Sequence, residues 1–426
     1  MLEDYREYML RCARCSNCKF VPHAVLKGYR YANICPSISR YNFHAYSGGG
    51  RLVTALSVLD GRVAPDNELM DIVYQCQTCG ACDTSCKYGL DLEITEPIYE
   101  LRARFVEMGL VPGDHRKVMD GLKKEGNMLR RPGAERGRWA EGLGVKTLFQ
   151  DMAEVYYHAG CRYSYDPDLR SPVRKAVTLL RDAGVDIAVA GKDEACCGGR
   201  AYELGYATEF AKFAPDHLER LYRAGVKTIV TSCSDCYHAF KVLYPKIGLS
   251  TDIRVCHITE FLEQLIGQGR IKVQKRVDKR VTYHDPCHLG RMGEPWKPWN
   301  GKIITDPNNR IMHEPRKEWR KGTDGVYEAP RNVLNSIPGL RLLEMERIKE
   351  YSWCCGAGGG VIDAYPDYSM ATARERIREA RDTGAEAVVT ACPWCIRNFR
   401  DAVREDLEPM QVYDVVDLFV EAMGKA

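Results

Sequence analysis

Cysteine spacing is the feature that most constrains this chain. Nineteen of its 426 residues are cysteines. Most of them are either adjacent to another cysteine or separated from one by two residues. In a cytosolic chain of this size, clustered cysteines bind metal or do redox chemistry more often than they form disulfides. Two residues between ligands also let the backbone curl around one group of metal atoms. We therefore expect metal centres.

The first eight cysteines fall into two runs. The second run has the C-x2-C-x2-C-x3-C spacing of bacterial ferredoxins, in which the fourth cysteine of each run ligates the cluster of the other run. The first run, C-x2-C-x2-C, is completed by a distant cysteine that precedes a proline. We predict two cubane [4Fe–4S] clusters, one on a first cubane set (Cys12, Cys15, Cys18 and Cys86) and one on a second cubane set (Cys76, Cys79, Cys82 and Cys35).

Two positions depart from the ferredoxin pattern. Cys35 lies much farther from Cys18 than the usual three-residue gap, and Lys87 stands where a proline usually follows the last cysteine. The alternative is a pair of zinc sites. Zinc generally uses two C-x2-C pairs, not triplets with a fourth partner, so the pattern favours iron–sulfur clusters.

The residues around these runs predict a helical domain. Apolar residues recur at 3–4 spacing over 46–62, 68–76 and 96–110. We assign residues 1–110 to a helical two-cluster ferredoxin-like domain. Residues 111–150 are rich in charge and glycine and indicate a linker or a solvated helix pair, with a basic docking patch as the alternative.

The second half of the chain is duplicated. The pattern C…CC-G…C-x-x-C occurs twice. The separation of the copies grows from 126 residues (161 to 287) to 158 (196 to 354), which places an insertion at 293–324. The first five-cysteine set is Cys161, Cys196, Cys197, Cys233 and Cys236, and the second is Cys287, Cys354, Cys355, Cys392 and Cys395.

Strands and helices alternate around both sets. VYYH and VTYH are short strands that run towards a cysteine, and each later C-x-x-C follows a helix, a glycine and a buried β run. This order predicts an α/β unit with a mostly parallel sheet, made twice, over 151–275 and 276–426. The fold class is thus α+β multidomain, with a helical ferredoxin domain before two α/β domains. The cysteines follow strand ends, where open α/β sheets place their sites.

The motifs YHDPCHLGR and CCGAGGG, together with the repeated pattern, resemble the CCG-domain family of iron–sulfur oxidoreductases related to the heterodisulfide reductase catalytic subunit. The resemblance covers nearly the whole chain, apart from the displaced Cys35 and the insertion. It implies a noncubane [4Fe–4S] cluster on each five-cysteine set, so that these ten cysteines are the catalytic candidates. It also implies that electrons enter from a partner, pass the cubane clusters and reach the noncubane pair.

The resemblance leaves the reaction open. We expect an oxidoreductase that passes electrons within a larger complex, with flavoprotein, ferredoxin-like or cytochrome subunits as partners. One alternative is a stand-alone disulfide reductase that holds a thiol–thiol heterodisulfide between its CCG domains. Others are an electron-wiring subunit of a class II aromatic acyl-CoA (benzoyl-CoA) reductase or bifurcating complex, and a redox sensor or iron–sulfur scaffold.

Composition excludes several functions. A net charge of +3 is too small to indicate nucleic-acid binding. No run approaches 18 apolar residues, and the start MLEDYREYMLRC lacks an apolar secretory core, so we expect a cytoplasmic chain that can dock on a membrane complex. No G-x-G-x-x-G follows a strand and opens a helix, which predicts no NAD or FAD site.

Some residues near the motifs allow two interpretations. Cys256 lies outside both sets and is expected to be a buried structural thiol, with cluster ligation as the alternative. The insertion carries Trp296 and Trp299, which indicate a partner interface or a local core. Several histidines near the sets could donate protons or bond to cluster sulfur, although packing is the plainer expectation: His158, His238, His257, His284 and His288.

Overall fold

The structure is a computed structural model, and it describes residues 1–90, 92–297, 299–308, 310–406 and 409–424. The side chain at position 311 is also left undescribed. Within these ranges, a helical domain precedes two α/β domains, as the sequence predicts.

The N-terminal domain is built from helices that wrap around its cysteines. Short 3-10 turns at Leu2–Tyr5, Asn17–Lys19 and His44–Tyr46 join them. The helices are α1 (Arg6–Leu10), α2 (Pro36–Tyr41), α3 (Gly48–Leu59), α4 (Asn67–Tyr74), α5 (Ala81–Cys86) and α6 (Thr95–Glu107). The predicted helices over 46–62, 68–76 and 96–110 correspond to α3, α4 and α6.

Residues 111–150 are packed against the domains on either side. They form helix α7 (Gly113–Glu125), a 3-10 helix at Gly133–Ala140 and strand β1 (Lys146–Thr147). Trp139 in this segment is 1% exposed and joins the hydrophobic core of the α/β domains. The sequence predicts a linker or a solvated helix pair here, and the structure differs because apolar residues are interspersed among the charges. The domain boundaries themselves stay a prediction.

The first α/β domain contains a five-stranded parallel sheet in the order β1-β3-β2-β4-β5. A π-helical turn at Ala239–Leu243 interrupts the helix that follows Cys233. The remaining strands are β2 (Val155–His158), β3 (Ile187–Val189), β4 (Thr228–Thr231) and β5 (Arg254–His257). The helices are α8 (Gly160–Tyr165), α9 (Arg170–Asp182), α10 (Gly199–Glu203), α11 (Ala207–Arg223), α12 (Ser234–His238), α13 (Tyr244–Lys246) and α14 (Ile258–Gly267).

The second α/β domain repeats this topology. Its parallel sheet has the order β11-β10-β6-β9, which matches β5-β4-β2-β3 of the first domain. The strands are β6 (Arg280–His284), β7 (Lys302–Thr305), β8 (Ile311–Glu314), β9 (Arg341–Leu342), β10 (Ala387–Thr390) and β11 (Gln411–Asp414). The helices are α15 (Glu328–Asn335), α16 (Val361–Ala364), α17 (Pro366–Asp382), α18 (Pro393–Glu405) and α19 (Val415–Ala422). The predicted duplicated α/β fold is confirmed.

The insertion at 293–324 forms an antiparallel hairpin from β7 and β8. The aromatic ring of Trp319 meets Tyr8 of the N-terminal domain edge to face at 6.4 Å. Lys317 Nζ donates to the hydroxyl of Tyr8 at 3.1 Å. Trp299 donates to the carbonyl of Pro315 at 2.9 Å, and Trp296 lies 5.2 Å from Lys246 Nζ. Trp296 and Trp299 therefore both make contacts within the chain.

Arg102 on α6 ties the three domains together. Its guanidinium is fully buried and donates to the carbonyl of Cys76 at 2.7 Å. It also donates to Glu203 of the first α/β domain at 2.8 Å and to Gly359 of the second at 2.9 Å. Among the described residues, no helix combines the length and the apolar composition that a membrane crossing requires.

Candidate metal centres

The structure brings the first cubane set together beside the N-terminus of α3. Burial raises the pKa of Cys86 to about 12, and its neighbours include Cys18 and Cys12. Cys18 in turn neighbours Cys12 and Cys15. The backbone N–H of Gly49 donates to Cys18 Sγ at 3.4 Å. Cys15 is exposed, so this set reaches the protein surface.

The second cubane set lines one small cavity of about 20 Å³. Burial raises the pKa of Cys35 to about 12, with Cys76 and Cys79 as neighbours. A Cβ on Gly48 would lie 2.9 Å from Cys82 Cβ, while one on Gly49 would lie 3.4 Å from Cys12 Sγ. The glycines that open α3 therefore let the helix N-terminus approach both cubane sets.

The first five-cysteine set is buried at the carboxyl ends of β2 and β4. Cys161 Sγ and Cys196 Sγ are 3.5 Å apart, and the N–H of Gly198 donates to Cys196 Sγ at 3.5 Å. Gly160 has a φ of +75°, and a Cβ there would lie 2.7 Å from Cys236 Sγ. Only glycine takes this conformation without strain and leaves room for the sulfur.

A buried ion pair from the segment 111–150 faces this set. The guanidinium of Arg136 lies 3.6 Å from Cys161 Sγ and 2.8 Å from Glu194 Oε1. Glu194 also accepts the N–H groups of Ala159 and Gly160, each at 3.0 Å. The carboxylate thus neutralises Arg136 and fixes the turn that carries Cys161.

The second five-cysteine set repeats the arrangement. The N–H of Gly356 donates to Cys354 Sγ at 3.3 Å, as Gly198 does in the first copy. Hydrogen bonds with Cys287 and with Cys355 raise the pKa of Cys354. Burial raises the pKa of Cys395, and hydrogen bonds with Cys355 and Cys392 raise it further. All ten predicted ligands therefore gather into two compact sets.

One histidine accompanies each five-cysteine set. A ring nitrogen of His158 and the Sγ atoms of Cys197 and Cys236 all lie within 4.8 Å of one another, and His284 stands in the same relation to Cys355 and Cys395. Both rings are buried. Within the described part of the chain, Nε2 of each histidine makes no hydrogen bond to another nitrogen or oxygen atom, and His284 hydrogen-bonds with Cys355.

The four sets form a connected series. Hydrogen bonding with Cys354 lowers the pKa of Cys79, so a cubane-set thiol contacts the second five-cysteine set. Ser234 Oγ donates to the carbonyl of Ala391 at 2.9 Å, and Cys233 and Cys392 beside them raise and lower each other's pKa, so the two five-cysteine sets also adjoin. Arg291 lies beside the first of these contacts, since its Nε donates to the carbonyl of Cys79 at 2.6 Å.

A second charged cluster lies between the α/β domains. His288 is 2.9 Å from Glu203 Oε1 through Nε2 and 2.7 Å from Asp235 Oδ1 through Nδ1. Burial alone would lower the pKa of His288. The negative charges of Cys287, Glu203 and Asp235 outweigh this effect, so the pKa of His288 lies well above its usual value. The ring of His238 stacks on His288 at 4.8 Å. His288 thus belongs to an ionic network on which His238 stacks, whereas His257 caps α14 through Thr259.

These residues fit iron–sulfur clusters better than separate thiols. A sulfur-rich group requires glycines where the backbone approaches sulfur closely, N–H groups aimed at Sγ atoms and polar groups beside the sulfurs, such as the two buried imidazole rings. Cys256 belongs to none of the four sets, because it lies within strand β5, where its side chain is buried. The sequence did not reveal Arg102, Arg136 and Arg291, since nothing in their local pattern distinguishes them from surface arginines.

Comparison with known proteins agrees with this arrangement. A family model described as a 4Fe-4S dicluster domain matches residues 8–90. A second, described as a cysteine-rich domain, matches residues 155–241 and 312–400. Cys287 falls before the second cysteine-rich match.

Several curated relatives span most of the chain. A dihydromethanophenazine:CoB--CoM heterodisulfide reductase chain of Methanosarcina acetivorans is 32% identical over 97% of this chain and 93% of its own length. An EtfAB:quinone oxidoreductase of Syntrophomonas wolfei is 30% identical over 83% of this chain and 47% of its own length. A fumarate reductase (CoM/CoB) chain of Methanothermobacter marburgensis is 29% identical over 81% and 60%. A solved hypothetical protein from Helicobacter pylori aligns with a TM-score of 0.49 and 12% identity, over 89% of this chain and 68% of that one.

Proposed function

Because this chain belongs to the heterodisulfide reductase family of iron–sulfur oxidoreductases, we propose that it carries electrons from a redox partner to two noncubane clusters. The packing of Cys79 with Cys354 in one buried cluster, which Arg291 bridges through the carbonyls of Cys79 and Ser352, is the observation that carries the proposal. It joins a ferredoxin-type ligand to a five-cysteine ligand without any intervening layer of protein. Bound at the four sets, [4Fe–4S] clusters would supply one-electron transfer.

Residue contacts give the order of the sets. The first cubane set reaches the surface at Cys15 and shares α3 with the second. The second cubane set meets the second five-cysteine set at Cys79, and the two five-cysteine sets meet at Cys233 and Cys392. Electrons therefore enter at the exposed end, where a flavoprotein, ferredoxin-like or cytochrome subunit would dock. They finish at the five-cysteine pair.

The chain's own groups hold and insulate this series. Nine of the ten cysteines in the five-cysteine sets are buried, and Cys287 is partly exposed. The N–H groups of Gly49, Gly198 and Gly356 donate to sulfur and stabilise its negative charge. Arg102 fixes the spacing of the three domains through backbone carbonyls.

Iron analysis and stepwise reduction test the proposal. Anaerobically purified holo-protein should hold about sixteen irons per chain, as four clusters of four irons require. A Cys79→Ser variant should keep the first cubane cluster but slow reduction of the five-cysteine sites by reduced viologen. Cys256→Ser is the matched control, because that thiol is buried away from the sets. About eight irons in the wild type, or equal rates in both variants, would refute the proposal.

A disulfide substrate is the second candidate, favoured by the contact between the two five-cysteine sets. Two one-electron sites that meet at Cys233 and Cys392 could each serve one sulfur of a substrate held between them. The protein should then oxidise reduced viologen when a thiol–thiol heterodisulfide is added. Failure across a panel of disulfides, while an electron-accepting protein partner is reduced, would leave the chain as a wiring subunit alone.

A further inference from the structure

The duplicated α/β domains differ at one nitrogen of their paired histidines. His158 and His284 occupy the same position, at the end of β2 and of β6. Each ring meets an equivalent phenylalanine edge to face, Phe240 at 5.0 Å and Phe399 at 4.8 Å. The two sites are therefore built alike up to the ring itself, and a difference beyond the ring can be assigned to its neighbours.

The neighbour in the second copy is an arginine. Arg376 on α17 is fully buried, and its Nε lies 3.1 Å from His284 Nδ1. A guanidinium can only donate, so His284 Nδ1 must accept and carry no proton. The remaining ring proton is then on Nε2, and the ring lies beside the Sγ atoms of Cys355 and Cys395 and hydrogen-bonds with Cys355. Arg376 itself is held by Glu379 at 2.7 Å and by the carbonyl of Arg347 at 2.9 Å.

The first copy has no such restriction. Nδ1 of His158 is 2.9 Å from the hydroxyl of Tyr156, which can donate or accept. The position equivalent to Arg376 is His217, whose ring lies 6.2 Å from His158 and whose Nδ1 pairs with Tyr244 instead. His158 can therefore adopt either neutral tautomer.

We propose that Arg376 is a positioning residue that fixes His284 as an N–H donor to the sulfur of the second five-cysteine set, which makes that site the more easily reduced of the two. The inference rests on the proposed binding of clusters at both sets. Hydrogen bonds to cluster and ligand sulfur stabilise the more negative, reduced state and so raise the reduction potential. The first site, where the donor is not enforced, is reduced at a lower potential.

Redox titration followed by EPR on the reconstituted holo-protein tests the proposal. His284→Leu removes the donor, and we expect the ratio of reduced to oxidised second site at a fixed potential to fall about tenfold, which is about 59 mV for a one-electron couple. His284→Gln keeps an N–H donor and should restore part of the shift. His158→Leu in the first copy is the matched control and should shift its own site less.

Arg376→Met separates positioning from donation. It leaves the imidazole in place but frees its tautomer, so the second site should move towards the potential of the first. An exchangeable proton coupling at that site, seen by pulsed EPR in H₂O and lost in D₂O, should weaken in the same variant. Unchanged potentials in both His284→Leu and Arg376→Met, with about sixteen irons still bound, would overturn the inference and leave the proposed function intact. A wild-type chain with about eight irons would overturn both.

Discussion

Replacing Arg102 with methionine should loosen the contact between the ferredoxin domain and both α/β domains. The side chain makes three short hydrogen bonds, to the carbonyls of Cys76, Glu203 and Gly359 at 2.7, 2.8 and 2.9 Å. A hydrogen bond from a charged donor contributes about 1.5–3 kcal/mol. Burial lowers the pKa of Arg102, which shows that desolvating the guanidinium offsets part of this gain. We expect a net loss of roughly 2–5 kcal/mol.

Chemical denaturation of the holo-protein, monitored by visible absorbance of the clusters, measures this loss. Arg104→Met on the same helix is the matched control, because Arg104 is partly exposed and pairs with Glu3 and Glu107 near the surface. That change should cost at most about 1 kcal/mol. Stopped-flow reduction should also show slower electron arrival at the five-cysteine sites in Arg102→Met. Equal stability of the two variants would refute the reasoning.

Three further predictions concern single positions. Gly48→Ala places a Cβ 2.9 Å from Cys82 Cβ and should lower the iron content by about four per chain, measured by iron assay. Burial raises the pKa of Asp414 from 3.8 to about 7. The protonated carboxyl therefore contributes its full share to the free energy of unfolding below pH 3.8, and that contribution is lost as the pH rises through 7. Asp414→Asn should therefore remove a decline of about 4 kcal/mol between denaturation curves at pH 4 and pH 8; an unchanged slope would contradict the assignment. Cys256→Ala should leave iron content and EPR signals unchanged, and loss of iron would make Cys256 a ligand.

Cysteine spacing predicted both cubane sets and both five-cysteine sets, and the alternation of strands and helices predicted the α/β duplication, which is confirmed. Sequence alone could make these predictions because ligand spacing and strand periodicity are local properties of the chain. Sequence reasoning also placed the insertion, although it could not tell that residues 293–324 contain a hairpin that lies against Tyr8.

The tertiary structure decided how the sets follow one another and what surrounds them. The contact of Cys79 with Cys354, the reach of Arg102 to Gly359 and the approach of Arg376 to His284 join residues that are distant in sequence. A buried arginine and a surface arginine look alike in a sequence, because burial depends on which elements pack around the side chain. The same holds for the tautomer of His284 on β6, since Arg376 on α17 fixes where its proton resides. The sequence thus predicts which sulfurs bind clusters, while packing determines which sets adjoin and which of two equivalent histidines has an arginine neighbour.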